Sequence, residues 1–123
     1  MVKIKRQTLQ ALVVAAQNTF PHEFIALLGR KKGKEKIINE FIILPATFGE
    51  TFSSIRLDLL PYTSGAIGSV HSHPGPSASP SRGDLAAFRA MGEIHLIIAF
   101  PFSFESTRAF DASGKQLQLE VVE

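Results

Sequence analysis

The sequence predicts a single domain of the α/β (α+β) class: a mixed, largely antiparallel β-sheet packed with two or three helices. Near the N-terminus, apolar residues recur at helical spacing, at Leu9, Leu12, Val13, Ala16 and Phe20. Beyond Pro21 the period changes to short apolar runs bounded by turn residues, the pattern of buried strands. No linker, repeat or low-complexity tract divides the 123 residues. A chain of this size fits one domain and can bury roughly two-thirds of the surface exposed by its unfolded form. Residues 1–123 are therefore read as one unit.

Val2 to Ile4 reads as a short strand. Arg6 to Thr19 reads as an amphipathic helix that ends before Pro21, because the residue preceding a proline is pushed out of the α region. Glu23 to Gly29 is apolar and bounded by turn signals, hence a buried strand, with Lys36 to Leu44 as its hairpin partner. Between them the basic run Arg30 to Lys36, with Gly33 at its centre, reads as a solvated hairpin tip. Phe52 to Leu59 alternates in places and stops at Pro61, giving a further strand. Gly65 to Ser72 brings the next strand up to a His-x-His pair, with Gly68 permitting close approach of a neighbouring backbone.

Gly75 to Pro80 is a loop. Ser81 is placed to cap a short helix with the apolar stripe Leu85, Phe88 and Met91, which Gly92 ends. Glu93 to Phe100 carries the strongest buried-strand signal. Thr107 to Phe110 and Gln116 to Val121 flank Asp111 to Lys115 as a hairpin, with Gly114 where a positive φ is needed. Pattern alone does not order these strands within a sheet.

Composition narrows the functional classes. Cysteine is absent, which excludes disulfides, thiolate metal sites and cysteine nucleophiles, and suits a reducing cytoplasm, where we expect the protein to act. Thirteen Lys and Arg stand against 11 Asp and Glu, a net charge of +2 that is too even to imply a nucleic-acid partner. The basic start followed by Leu9 to Ala16 imitates a secretory leader. However, Gln10 and Gln17 interrupt the run, and its spacing favours a helix. The longest apolar stretch, Ile94 to Phe102, contains His95 and Pro101 and falls far short of the roughly 20 residues a membrane span needs.

The chemistry concentrates in His71-Ser72-His73-Pro74 and the following Ser81-Arg82-Gly83-Asp84. Side chains at i and i+2 of a strand share a face, so His71 and His73 can converge on one ion while Ser72 points away. Asp84, one short loop further on, supplies a carboxylate. Three protein donors with one position left open is the arrangement of a catalytic zinc site, whereas a structural site closes with four. Each part also has a plain structural reading. The His-x-His can be two unrelated histidines, and Ser81-x-x-Asp84 before Leu85 is also a capping box. What favours a joint reading is that a helix starting at Ser81 can return Asp84 to the strand end.

Together with Glu23, these residues resemble the signature of the JAMM, or MPN-plus, metalloproteases: a distant Glu, then His-Ser/Thr-His-Pro, then Ser-x-x-Asp. The resemblance runs from the opening helix to the final hairpin, and the chain is similar to a minimal archaeal-type member. It implies a JAMM/MPN-like (deaminase-like) fold and one Zn2+ per chain held by His71, His73 and Asp84. It further implies that Glu23 acts as general base and acid, and that Ser81 donates to the developing oxyanion. The substrate class so implied is an isopeptide or peptide bond at the C-terminus of a ubiquitin-like modifier, a deubiquitinase-like or desampylase-like activity. Trimming the C-terminus of a sulfur-carrier protein in cysteine or cofactor biosynthesis would use the same five residues. An extended modifier tail could add as a strand to an exposed edge, for which Phe52 to Leu59 is the candidate.

Other residues receive structural readings. His22 alternates with Glu23 and is expected at the surface, His95 as a packed or hydrogen-bonded core residue, and Ser72 as a hydroxyl bonded to backbone near the site. Phe48, Phe52, Tyr62, Phe102 and Phe104 read as core before they read as a modifier-binding surface. A nucleic-acid module built on Arg30 to Lys36 lacks aromatic residues clustered beside the charge.

Overall fold

The computed structural model describes residues 1–29, 37–44 and 66–123. It opens with β1 (Val2–Lys5) and passes directly into α1 (Arg6–Thr19), with the boundaries the apolar spacing predicts. The predicted Arg30 to Lys36 tip, the Phe52 to Leu59 strand, and Phe48 and Tyr62 lie outside the described residues. Then follow β2 (Ile25–Gly29), β3 (Ile37–Ile38), β4 (Glu40–Ile43), β5 (Ala66–His73), α2 (Arg82–Phe88), β6 (Ile94–Ala99), β7 (Thr107–Asp111), β8 (Gln116–Leu117) and β9 (Leu119–Val122). No helix among the described residues is long and apolar enough to cross a membrane.

The larger sheet has the order β4-β2-β5-β6-β7-β8. All its pairs are antiparallel except β5–β6, which is parallel. A parallel pair needs a crossover, and α2 supplies it, so β5, α2 and β6 form one βαβ unit. The mixed, largely antiparallel sheet with two helices is thus the predicted class.

Two predicted strands divide. Lys36 to Leu44 becomes β3 and β4, and Gln116 to Val121 becomes β8 and β9, each pair separated by one residue and sent to different sheets. β3 and β9 flank β1 in a second, parallel sheet of order β3-β1-β9. Their apolar residues Ile38, Leu119 and Val121 join Val2 and Ile4 in the cluster around α1. Periodicity detects that such residues are buried, but not that the strand changes sheets partway.

Strand alternation divides the core between the two faces of the larger sheet. Ala26, Leu28, Val70, Leu96 and Ile98 pack with Leu9, Leu12, Val13 and Ala16 of α1. Ile25, Leu27 and Ile97 face the other way and pack with Phe88, Met91 and Phe110. Phe20, which continues the helical spacing of the α1 stripe, lies just past the helix end and is 46% exposed.

Gly68 lies opposite Ile94 in the β5–β6 ladder, and a Cβ built on it would overlap the Ile94 carbonyl oxygen. Gly68→Ala is therefore expected to destabilise the domain by about 3 kcal/mol, read as a lower urea midpoint. Gly114 sits at φ +89° in the β7–β8 hairpin, as the turn requires.

Candidate metal centre

β5 and β6 run parallel, so their C-terminal ends lie together. His71 and His73 occupy the end of β5 on the face that packs toward α2. The loop to α2 is short, and the helix begins with its N-cap Ser81 and third residue Asp84 beside that strand end. The Asp84 N–H donates to Ser81 Oγ at 3.0 Å, and the Ser81 N–H donates to Asp84 Oδ2 at 3.0 Å, completing the capping box. The same Oδ2 stands 3.0 Å from His73 Nε2 and 3.3 Å from His71 Nε2. The capping reading of Asp84 is realised, and the cap aims the carboxylate at the histidines.

The two Nε2 atoms are 3.0 Å apart. Zinc bound by nitrogen and oxygen at about 2.0–2.1 Å in tetrahedral geometry requires donor separations of about 3.3 Å. The observed 3.0–3.3 Å spacing meets that requirement before any rearrangement. His73 Nδ1 donates to the Ser77 carbonyl at 3.0 Å, which leaves the Nε2 lone pair for a metal and fixes the ring. In donor type, number and spacing the group fits one Zn2+ per chain.

Electrostatics treat the two imidazoles differently. Burial holds the His71 imidazole below its ordinary pKa despite the nearby Asp84, so it stays neutral, the form that binds metal. The hydrogen bond to Asp84 raises His73, against partial burial. Burial opposes charge on Asp84, but hydrogen bonds from His71 and His73 and from the Ser81 N–H hold its carboxyl well below the usual range.

Glu23 arrives by register. Ile25 pairs with His71, and the Phe24–Ser72 bonds continue the ladder by one residue: Ser72 N–H to Phe24 O at 2.9 Å and Phe24 N–H to Ser72 Oγ at 2.8 Å. Glu23 is next to this pair in sequence, two residues before β2 begins. Its charge acts on both imidazoles, raising each. The structure brings His71, His73, Ser81 and Asp84 together at one end of one sheet, with Glu23 near enough for its charge to act on both imidazoles. Ser72 bonds backbone, as expected of it, and half-buried His22 is not among the clustered donors.

A layer beneath the site carries no residue-type signature of its role. The Phe88 ring stacks on His95 at 4.1 Å and 6°, with His71 at 6.4 Å on its other neighbours. His95 Nδ1 accepts from Ser69 Oγ at 2.7 Å, and its Nε2 donates to Gly92 O at 2.9 Å. Burial pushes His95 down to about 4 from an ordinary 6.5. Between those values the unfolded chain binds the extra proton, so the contribution is complete above 6.5 and is lost as pH falls towards 4. Urea titrations of metal-free protein should show about 2 kcal/mol lost through this group between pH 7.5 and 5. A His95→Gln variant should lack that part of the slope.

The chain belongs to the family of prokaryotic homologs of the JAB domain (Prok-JAB), which matches residues 5–112. Family and geometry together define a JAMM/MPN-type domain with a metalloprotease-like zinc site. Over 131 aligned positions the chain is 33% identical to a probable metalloprotease of Haloferax volcanii, spanning 100% of this chain and 81% of that protein. A JAB1/MPN domain protein from Archaeoglobus fulgidus superposes with a TM-score of 0.79 at 35% identity, over 99% of this chain and 100% of the other. A structure described as a JAMM metalloprotease-like zinc site in the proteasome and signalosome superposes at 0.76 and 34% identity, over 100% and 99%.

Proposed function

We propose that the protein is a zinc-dependent peptidase or isopeptidase that hydrolyses the amide bond at the C-terminus of a ubiquitin-like modifier. The observation that supports this most is the convergence of His71 Nε2, His73 Nε2 and Asp84 Oδ2 within 3.3 Å of one another, with the Glu23 charge acting on both imidazoles. His71, His73 and Asp84 would hold the ion, which acts as a Lewis acid and activates water at neutral pH.

The other roles fall to the chain itself. The Glu23 carboxylate accepts a proton from the attacking water and later delivers it to the nitrogen of the leaving amine. The Ser81 Oγ accepts the Asp84 N–H, which leaves its own O–H to donate to the carbonyl oxygen as negative charge develops there. Ser81→Ala should therefore lower kcat by about 100-fold. Because the cap bond to Asp84 is lost as well, zinc content must be measured beside the rate.

The test of the activity is cleavage of a lysine-linked modifier conjugate after chelation and zinc add-back. Activity that disappears with the metal and returns with zinc is the expected outcome. Cleavage that persists in the fully chelated protein would remove the proposal.

A further inference from the structure

Phe20, Phe100 and Phe102 form a mutual aromatic cluster, with ring centroids 5.6–5.7 Å apart, where β5 and β6 end. Phe102 is buried beneath, while Phe20 and Phe100 are each 46% exposed. The cluster is held firmly. Phe102 has φ +63°, a region rarely adopted by a bulky side chain, and such a conformation persists only where its surroundings impose it. Here its N–H donates to Ala99 O at 2.8 Å, and Gln17 Nε2 donates to its carbonyl at 3.0 Å. The Phe100 N–H donates to the carbonyls of both His73 and Gly75, at 3.2 and 3.0 Å, fastening this ring to the strand end that carries the metal group.

The cluster lies toward the α1 side of the sheet end, and the metal group lies toward the α2 side. Among the described residues, apart from Gly75 and its chain neighbours, no atom lies within 4 Å of where a Cβ on Gly75 would sit, so the backbone that the Phe100 N–H holds has open space beside it. The residues beside the rings in sequence, Thr19, Pro21, Pro101 and Ser103, carry no charge.

We propose that Phe20 and Phe100 form a subsite that receives one apolar side chain of the protein substrate close to the scissile bond. This rests on the peptidase reading of the metal centre. Two half-exposed phenyl rings offer about 200 Å2, enough to cover a Leu-sized side chain and far below the about 800 Å2 per partner of a stable dimer. The main-chain bond from Phe100 to His73 ties the rings to the strand end that carries the metal group. The subsite would lower KM for substrates with an apolar residue in the right register, leaving kcat unchanged.

The test uses fluorescein-labelled, serine-rich peptides with a central Gly-Gly, in which a single Leu is walked through positions on both sides. Affinities are measured on zinc-loaded Glu23→Gln protein, and cleavage rates of quenched versions on the wild type. One Leu register should bind about tenfold tighter than the all-serine peptide. That advantage should vanish with Phe100→Ser or Phe20→Ser and survive with Phe100→Leu, zinc content being equal in all.

An identical Leu preference in the serine variants overturns the subsite, as does the absence of any preferred register. So does a loss of self-association or of phosphatidylcholine-vesicle binding in those variants with peptide affinity unmoved. If the Leu preference depends on Phe100 but the wild type cleaves neither peptide nor conjugate, the hydrolytic reading fails while the subsite stands.

Discussion

Glu23→Gln is expected to lower kcat on a lysine-linked modifier conjugate by about 1000-fold while leaving one zinc per chain. General acid–base catalysis contributes about 100- to 10,000-fold, and the amide, although nearly isosteric, cannot take up and return a proton. Glu23 is outside the cluster of His71, His73 and Asp84 that can share an ion, so the substitution should spare the metal. Single-turnover rates and metal analysis on the same preparation check both halves. Undiminished turnover would place the proton transfer elsewhere, and lost zinc would make Glu23 part of the metal's support.

Asp84→Ala should have the largest combined effect. It removes a donor that lies 3.0 and 3.3 Å from the two imidazoles, and it removes the carboxylate that accepts the Ser81 N–H. Zinc affinity is expected to fall by at least about 100-fold, because even groups that only support a ligand are worth about 10- to 100-fold. Loss of the cap should cost a further ~1 kcal/mol in the metal-free protein, seen as a lower urea midpoint. Comparison with Ser81→Ala separates the two contributions, since that variant weakens the cap yet keeps the donor. Equal zinc binding by Asp84→Ala and wild type would exclude Asp84 from the metal group.

Much of the site was legible because its parts are local. The i, i+2 spacing of His71 and His73 on a strand, and the cap at Ser81 with Asp84 three residues on, are set by backbone geometry within a few residues. Glu23 was different. No local spacing connects it to His71, and only resemblance to a family pointed to it. The Ile25↔His71 register then gives the physical reason for its place. The Ser77 carbonyl that orients His73, and the Phe88–His95 stack beneath His71, left no trace in the sequence, because a backbone oxygen has no residue type and a buried Phe resembles any other. The exposure of Phe20 has a related cause: helical spacing continues past the point where the helix ends, and spacing alone does not say which way the residue faces there.

By itself, the sequence determined where helix and strand fall along the described residues, which faces are apolar, and that two imidazoles and a carboxylate lie within one short stretch. Those properties depend on periodicity and on contacts between near neighbours. Tertiary structure alone decided the order of strands, the transfer of β3 and β9 to a separate parallel sheet, and the approach of Glu23 to His73 across 50 residues of chain. Such pairings are chosen by whole-sheet register and by burial on both faces at once, and no window of sequence contains both partners.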